Sequence, residues 1–215
     1  MGVATRLVGG KVAKVTMDPG GNIESPFRIV VIGSSAGGLR ALEQVVSHLD
    51  EDFPVPIVLV QHLDPRHRSL MADILTRHTS CRVTPAIQGA TLEPGVVYIG
   101  VPDRHLLVTP TLTIELTETE LVRFVRPSID LLFDSAAGSC REGVIAVVLT
   151  GTGKDGADGV RVVDEVGGTV MVQDPDTAEF DAMPRAAVET GCADFVLPLD
   201  QIGPALVQLT TQAVA

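Results

Sequence analysis

The 215-residue chain is poor in cysteine: Cys81, Cys140 and Cys192 stand far apart, form no CxxC pair and are odd in number. Such usage does not build a disulfide framework and fits reduced thiols in a reducing compartment. Basic residues are scarce as well. Lysine and arginine total 16 against 27 aspartates and glutamates, a formal charge of −11, the wrong sign for tracking a phosphate backbone, so ordinary nucleic-acid binding is excluded. No apolar run approaches the ~18 residues that span a bilayer. The N-terminus lacks the basic, apolar and small-residue order of a secretory signal, and Arg6 stands where a myristoylation motif needs serine or threonine. Internal repeats and low-complexity tracts are also lacking. What remains is the expectation of a soluble cytoplasmic protein whose 45% hydrophobic residues suffice for a sizeable core.

Residues 1–25 carry Gly9, Gly10, Pro19, Gly20 and Gly21 without a sustained apolar period and are expected to form a loose N-terminal arm. From Phe27 the pattern becomes regular. Short β-branched runs, predicted as strands over 28–32, 57–61, 144–150, 169–172 and 194–197, alternate with segments of helical spacing that begin near Gly38, Ser69, Ser128, Gly156, Ala182 and Gln201. The runs 96–101, 106–108 and 112–116, separated by Pro102-Asp103 and Pro110, are expected to contribute an antiparallel hairpin at one edge. The predicted fold class is α/β, a mostly parallel Rossmann-like sheet flanked by helices, in one domain over residues 26–215. Ligands of such a sheet bind at the carboxyl ends of its strands.

The sharpest motif is Gly33-Ser34-Ser35-Ala36-Gly37-Gly38, between the first strand and the first helix. It is a G-x-S-x-G elbow with Ser35 at the nucleophile position, held exposed by glycines that tolerate the tight turn, with helix-terminal amides aimed at a developing oxyanion. A glycine-rich phosphate loop or a plain turn competes with this reading. A dinucleotide site is disfavoured: Ser35 stands where pyrophosphate needs glycine, and the second strand ends in Gln61-His62 rather than an acid. His62 closes that strand, so adjacent parallel strands bring it about 5 Å from the elbow. Its competing role is a strand cap.

A serine and a histidine need a carboxylate to orient the imidazole. The best candidate is Asp155 in Gly151-Thr152-Gly153-Lys154-Asp155-Gly156, which again joins a buried strand to a helix. Asp155 could instead cap the helix that follows, and Asp158 and Asp64 are rivals. The loop is not a P-loop, because no glycine lies five residues before Gly153 and no serine or threonine follows Lys154. His48, His67, His78 and His105 read as solvated or substrate-facing, and no histidine has metal-ligand spacing. No metal is called.

Five ordered stretches resemble the catalytic domain of the chemotaxis protein-glutamate methylesterases of the CheB type. They are Ile32–Gly38, Val60-Gln61-His62, Arg126-Pro127-Ser128-Ile129-Asp130, Leu149–Gly156 and Met183-Pro184-Arg185-Ala186. The resemblance runs from Arg28 to about Leu209. It implies Ser35 as nucleophile, His62 as base, Asp155 as orienting acid and the backbone amides of Ala36 and Thr152 as the oxyanion hole. It further implies hydrolysis of γ-glutamyl methyl esters on the cytoplasmic helices of chemoreceptors, with deamidation of particular glutamines as a second reaction, and no cofactor in either. Val125, Arg126 and Met183 become the substrate-facing candidates. The chain departs from the family at Ala36, where threonine is frequent, at Thr152, where methionine is, and at Val125, where histidine is; the first two changes leave the backbone amides in place.

Two other readings stay open: a silent docking or regulatory module of a signalling complex, and an esterase for another carboxylic ester. Arg66, His67, Arg68, Arg104, Arg123 and Arg126 are expected to form a basic rim that attracts acidic receptor helices. Many family members carry an N-terminal phosphoacceptor receiver domain, for which 25 residues are too few, so turnover is expected to be independent of phosphodonors.

Overall fold

The runs Ile29–Ser34, Ile57–Gln61 and Val144–Val148 are buried at every position, which suits strands covered on both faces. The computed structural model describes residues 16–17, 23–24, 27–62 and 70–211. Two-residue strands β1 (Thr16–Met17) and β2 (Ile23–Glu24) pair antiparallel with each other; the rest of the expected N-terminal arm lies outside the described residues. The main sheet is built from β3 (Ile29–Ser34), β4 (Ile57–Gln61), β5 (Arg82–Pro85), β6 (Val96–Ile99), β9 (Val144–Val148), β10 (Thr169–Gln173) and β11 (Phe195–Leu197) in the order β11-β10-β9-β3-β4-β6-β5. Every pairing in it is parallel.

Because successive strand residues point to opposite faces, the apolar runs divide between two cores. Ile29, Val31, Val58, Val60, Ala146 and Val148 meet α3 (Ile129–Cys140), α4 (Ala157–Glu165) and α5 (Ala182–Val188). Val30, Ile32, Ile57, Leu59, Ile145 and Val147 meet α1 (Gly38–Val46), α2 (Met71–Leu75) and α6 (Leu199–Thr211). The chain leaves β3 for β4 on one side and later returns to β9 on the other. The carboxyl ends of β3, β4 and β9 therefore flank the switch point where such sheets open a ligand crevice.

The antiparallel hairpin is narrower than the sequence suggests. It consists of β7 (His105–Val108) and β8 (Ile114–Thr117) as a separate two-stranded sheet, tied to α3 where Ser139 Oγ donates to the Val108 carbonyl at 2.9 Å. The run from Val96, expected with the hairpin, is instead a parallel strand between β4 and β5. Edge strand β5 went unpredicted because Arg82-Val83-Thr84-Pro85 is mostly polar and only partly covered. Helix α6 starts at Leu199, two residues before the expected Gln201. Among the described residues no helix is long and apolar enough to cross a membrane.

Candidate active site

In the register of β3 and β4, Ser34 lies opposite Gln61, and the His62 amide donates to the Ser34 carbonyl at 3.1 Å. One residue further along, Ser35 and His62 leave the sheet side by side. On the other flank the Ser35 amide donates to the Thr150 carbonyl at 3.0 Å, fastening the elbow to the loop after β9. Gly37, at φ 73°, turns the chain into α1 in a conformation that a side chain resists.

Gln61 locks this corner. Ser34 Oγ donates to Gln61 Oε1 at 2.6 Å, and Gln61 Nε2 donates to the Ser35 carbonyl at 2.6 Å and the His62 carbonyl at 3.0 Å. The two serines thereby separate: Ser34 is consumed by a buried bond, while among the described residues Ser35 Oγ makes no hydrogen bond. Ser35 is nevertheless only 9% exposed. The expectation of a nucleophile standing out in solvent is corrected: Ser35 is almost covered, with Gly151 packed so closely that a Cβ there would come within 2.7 Å of Ser35 Cβ and 2.2 Å of Met183 Sδ.

His62 Nε2 hydrogen-bonds Asp155 Oδ2 at 2.8 Å. Asp155 is 5% exposed and accepts from three further donors: Ser128 Oγ at 3.0 Å, the Ile129 amide at 2.7 Å and the Asp130 amide at 3.1 Å. It does cap a helix, but the one that begins at Ile129 rather than the one that follows it. Burial works against its charge, yet the bonds from His62 and from the Ile129 and Asp130 amides outweigh burial and hold its pKa below the ordinary carboxylate value. Asp155 is thus poised as an anion beside the imidazole. Its rival Asp158 bonds Arg123 and Arg161 at the surface, and Asp64 lies outside the described residues.

Asp130 caps α4 in turn. Its Oδ1 accepts from the amides of Gly156 at 2.8 Å, Asp158 at 3.1 Å and Gly159 at 2.8 Å. Burial, opposed by the Gly159 amide and reinforced by the charge of Asp155, pushes its pKa up to about 6. In sequence Asp130 is only the last residue of the Arg126–Asp130 stretch, and an acid on the first turn of a helix is too common a signal to reveal a cap for a second helix.

The backbone amides of Ala36 and Thr152 sit on the loops after β3 and β9. Among the described residues neither donates to another group, so both remain available to an incoming oxyanion. Thr150 braces the cleft between those loops: its amide donates to Gln173 Oε1 at 2.8 Å and its Oγ1 to the Ala36 carbonyl at 3.1 Å.

The substrate-facing candidates divide. Val125 is half-buried and exchanges backbone bonds with Val122. Arg126 is committed to Asp103 and to the carbonyls of Glu118 and Thr119. Met183 is buried and supports Gly151 from within. Of the residues expected in a basic rim, Arg104 pairs with Glu118, Arg123 with Asp130 and Asp158, and Arg126 with Asp103, so these three charges are already matched by acids; Arg66, His67 and Arg68 lie outside the described residues.

Of the remaining histidines, His105 is fully buried rather than solvated. Its Nδ1 accepts from the Ser128 amide at 3.1 Å and its Nε2 donates to the Glu120 carbonyl at 3.0 Å. His48 and His78 stay near helix ends, the latter beside Glu43. Among the described residues no cluster of three or more histidine, cysteine, aspartate or glutamate side chains could hold a metal, and all three cysteines are free thiols.

The profile of the CheB methylesterase family matches residues 30–206. A protein of Leptospira interrogans, named provisionally for the paired activities of protein-glutamate methylesterase and protein-glutamine glutaminase, is 38% identical over 183 residues, 85% of this chain and 95% of that protein. A protein-glutamate methylesterase/protein-glutamine glutaminase of Caulobacter vibrioides is 39% identical over 89% of this chain, which spans 55% of that longer relative. The crystal structure of the Thermotoga maritima CheB methylesterase catalytic domain superposes with a TM-score of 0.82 at 39% identity, covering 85% of this chain and 98% of that domain.

Proposed function

The chain belongs to the CheB methylesterase family, and we propose that it is a serine hydrolase that demethylates γ-glutamyl methyl esters on the cytoplasmic helices of chemoreceptors, with Ser35, His62 and Asp155 as its triad. The observation that carries this reading is the 2.8 Å bond from His62 Nε2 to a buried, anionic Asp155, made by an imidazole that leaves its strand beside Ser35. With Nε2 held by Asp155, Nδ1 is the nitrogen left to receive the serine proton. The catalytic domain of this reading is residues 26–215, and its receptor substrate places it in the cytoplasm.

In the reaction, Ser35 Oγ attacks the ester carbonyl as its proton passes to His62 Nδ1. The charge that develops on the carbonyl oxygen is met by the amides of Ala36 and Thr152, fixed in place before reaction begins. Collapse expels methanol, which takes the proton from His62, and leaves an acyl-enzyme. Water then surrenders a proton to His62, attacks the acyl carbon and releases the glutamate carboxylate and Ser35. Asp155 stabilises the imidazolium in both halves. The same cycle on a glutamine releases ammonia instead of methanol.

The test is methanol release from methylated receptor fragments, run beside turnover of a small activated ester. Release that depends on enzyme supports the proposal. Turnover of the small ester alone would favour a different carboxylic ester, and turnover of neither a docking module.

A further inference from the structure

Aromatic residues make up only 3% of this chain, yet one of its six phenylalanines, Phe124, is 95% exposed. It occupies a two-residue turn closed by reciprocal bonds, Val122 amide to Val125 carbonyl at 3.2 Å and Val125 amide to Val122 carbonyl at 2.9 Å. Both central residues are left-handed, Arg123 at φ 49° and Phe124 at φ 68°. That geometry is the one in which Asn-Gly is favoured, because side chains other than glycine, asparagine and aspartate strain it. The turn thus carries an arginine and a phenylalanine where the backbone would be relaxed by smaller residues, and burial of the phenylalanine does not compensate.

The arginine accounts for how the turn is held. Arg123 reaches back to Asp130 at 3.3 Å and to Asp158, at the mouths of α3 and α4 where Asp155 also sits. Phe124 is anchored by its neighbour, and among the described residues its side chain makes no hydrogen bond or ion pair. Four residues later Ser128 donates to Asp155, so the chain alone keeps Phe124 within about 14 Å of the residue that holds the triad's acid. A helix with its side chains is about 10–12 Å across, a width comparable to that separation, so a receptor helix presenting an ester near Ser35 is broad enough for its flank to reach this turn. Backbone strain at an exposed position beside a catalytic site is the pattern expected of a ligand contact.

We infer that Phe124 is a specificity contact for the protein substrate, gripping aliphatic side chains on the receptor helix next to the esterified glutamate. The inference rests on the receptor-demethylase reading. It does not involve the chemistry at Ser35, and that separates the two experimentally.

The test compares Phe124→Ala, Phe124→Leu and Phe124→Gly with the wild type on methylated receptor fragments and on a small activated ester. The expected result is a loss of about tenfold in kcat/KM on receptor ester for the alanine and glycine variants, the ordinary effect of truncating an apolar anchor, with unchanged turnover of the small ester. Leucine restores most of the loss. Phe124→Gly keeps or raises the thermal midpoint, since relief of the left-handed strain offsets the freedom glycine adds to the unfolded chain. Wild-type kcat/KM on receptor ester for both truncations overturns the inference alone, as does an equal loss on both substrates, which would make the turn part of the triad's scaffold. A wild-type enzyme inert on receptor ester overturns it together with the function on which it rests.

Discussion

Asp155 and Asp130 cap each other's helices. Asp155, on the loop that leads into α4, accepts the first amides of α3, and Asp130, on the first turn of α3, accepts the first amides of α4. Each carboxylate supplies the negative charge that a helix N-terminus favours. Together they lock the loop after β9, which carries Asp155 and the Thr152 amide, to the start of α3. Only Asp155 also reaches His62, and the three amide bonds on Asp130 hold in place the segment from which it does so.

Replacing Asp155 with asparagine is expected to lower kcat on a small activated ester by about 10⁴-fold, as loss of the orienting carboxylate does in other serine triads. An asparagine presents a donor either to the imidazole or to the α3 amides. Asp158→Asn disturbs only surface ion pairs and should leave kcat within twofold. Steady-state rates corrected for the folded fraction check both; equal losses would remove the assignment of Asp155.

Asp130 has a different pH signature. Its folded pKa, raised by burial to about 6 from an ordinary 3.8, means that between those values the native chain binds more protons than the unfolded one. Stability contributed at this site therefore falls as pH rises from about 4 to about 6. The charges facing it are Asp155 and Arg123, whose guanidinium it shares with Asp158. Asp130→Asn retains an oxygen for the three amides and removes the titration, so its stability relative to wild type should rise across that window. Denaturant unfolding at pH 4, 5, 6 and 7 measures the difference, and parallel curves would contradict it.

Gly151 is a matter of space. A Cβ at this position meets Ser35 Cβ at 2.7 Å and Met183 Sδ at 2.2 Å, and the buried methionine has little room to retreat. Gly151→Ala should cost about 1–3 kcal/mol in overpacking and displace Ser35, lowering kcat at least tenfold in the molecules that remain folded. Undiminished kcat would show that Ser35 is not confined as described.

The meeting of Ser35, His62 and Asp155 was legible because each follows an apolar run: Ser35 and His62 just beyond β3 and β4, Asp155 on the loop after β9. Topology of a parallel sheet then converts sequence separation into neighbourhood. Pairing direction was less legible. The run from Val96 is as apolar as any strand, and nothing in a short apolar run says whether its partner is parallel or antiparallel. Burial of His105 and the pairing of Arg104, Arg123 and Arg126 depend on partners contributed by other segments, such as the Ser128 amide and Asp158. Gln61 was read as the end of a strand, and its hold on Ser34 and Ser35 becomes visible only once β3 and β4 are in register.

The most direct test of the central claim is covalent trapping of the nucleophile with a fluorophosphonate, followed by peptide mapping and parallel measurement of ester turnover. One adduct per chain is expected, on Ser35, formed as activity is lost. Ser35→Ala should show no adduct and no turnover, at an unchanged thermal midpoint. Ser34→Ala should still be labelled at Ser35 and should lose about 1–2 kcal/mol of stability, because Gln61 Oε1 forfeits its donor. Labelling at another residue, or wild-type turnover by a folded Ser35→Ala enzyme, would contradict the mechanism.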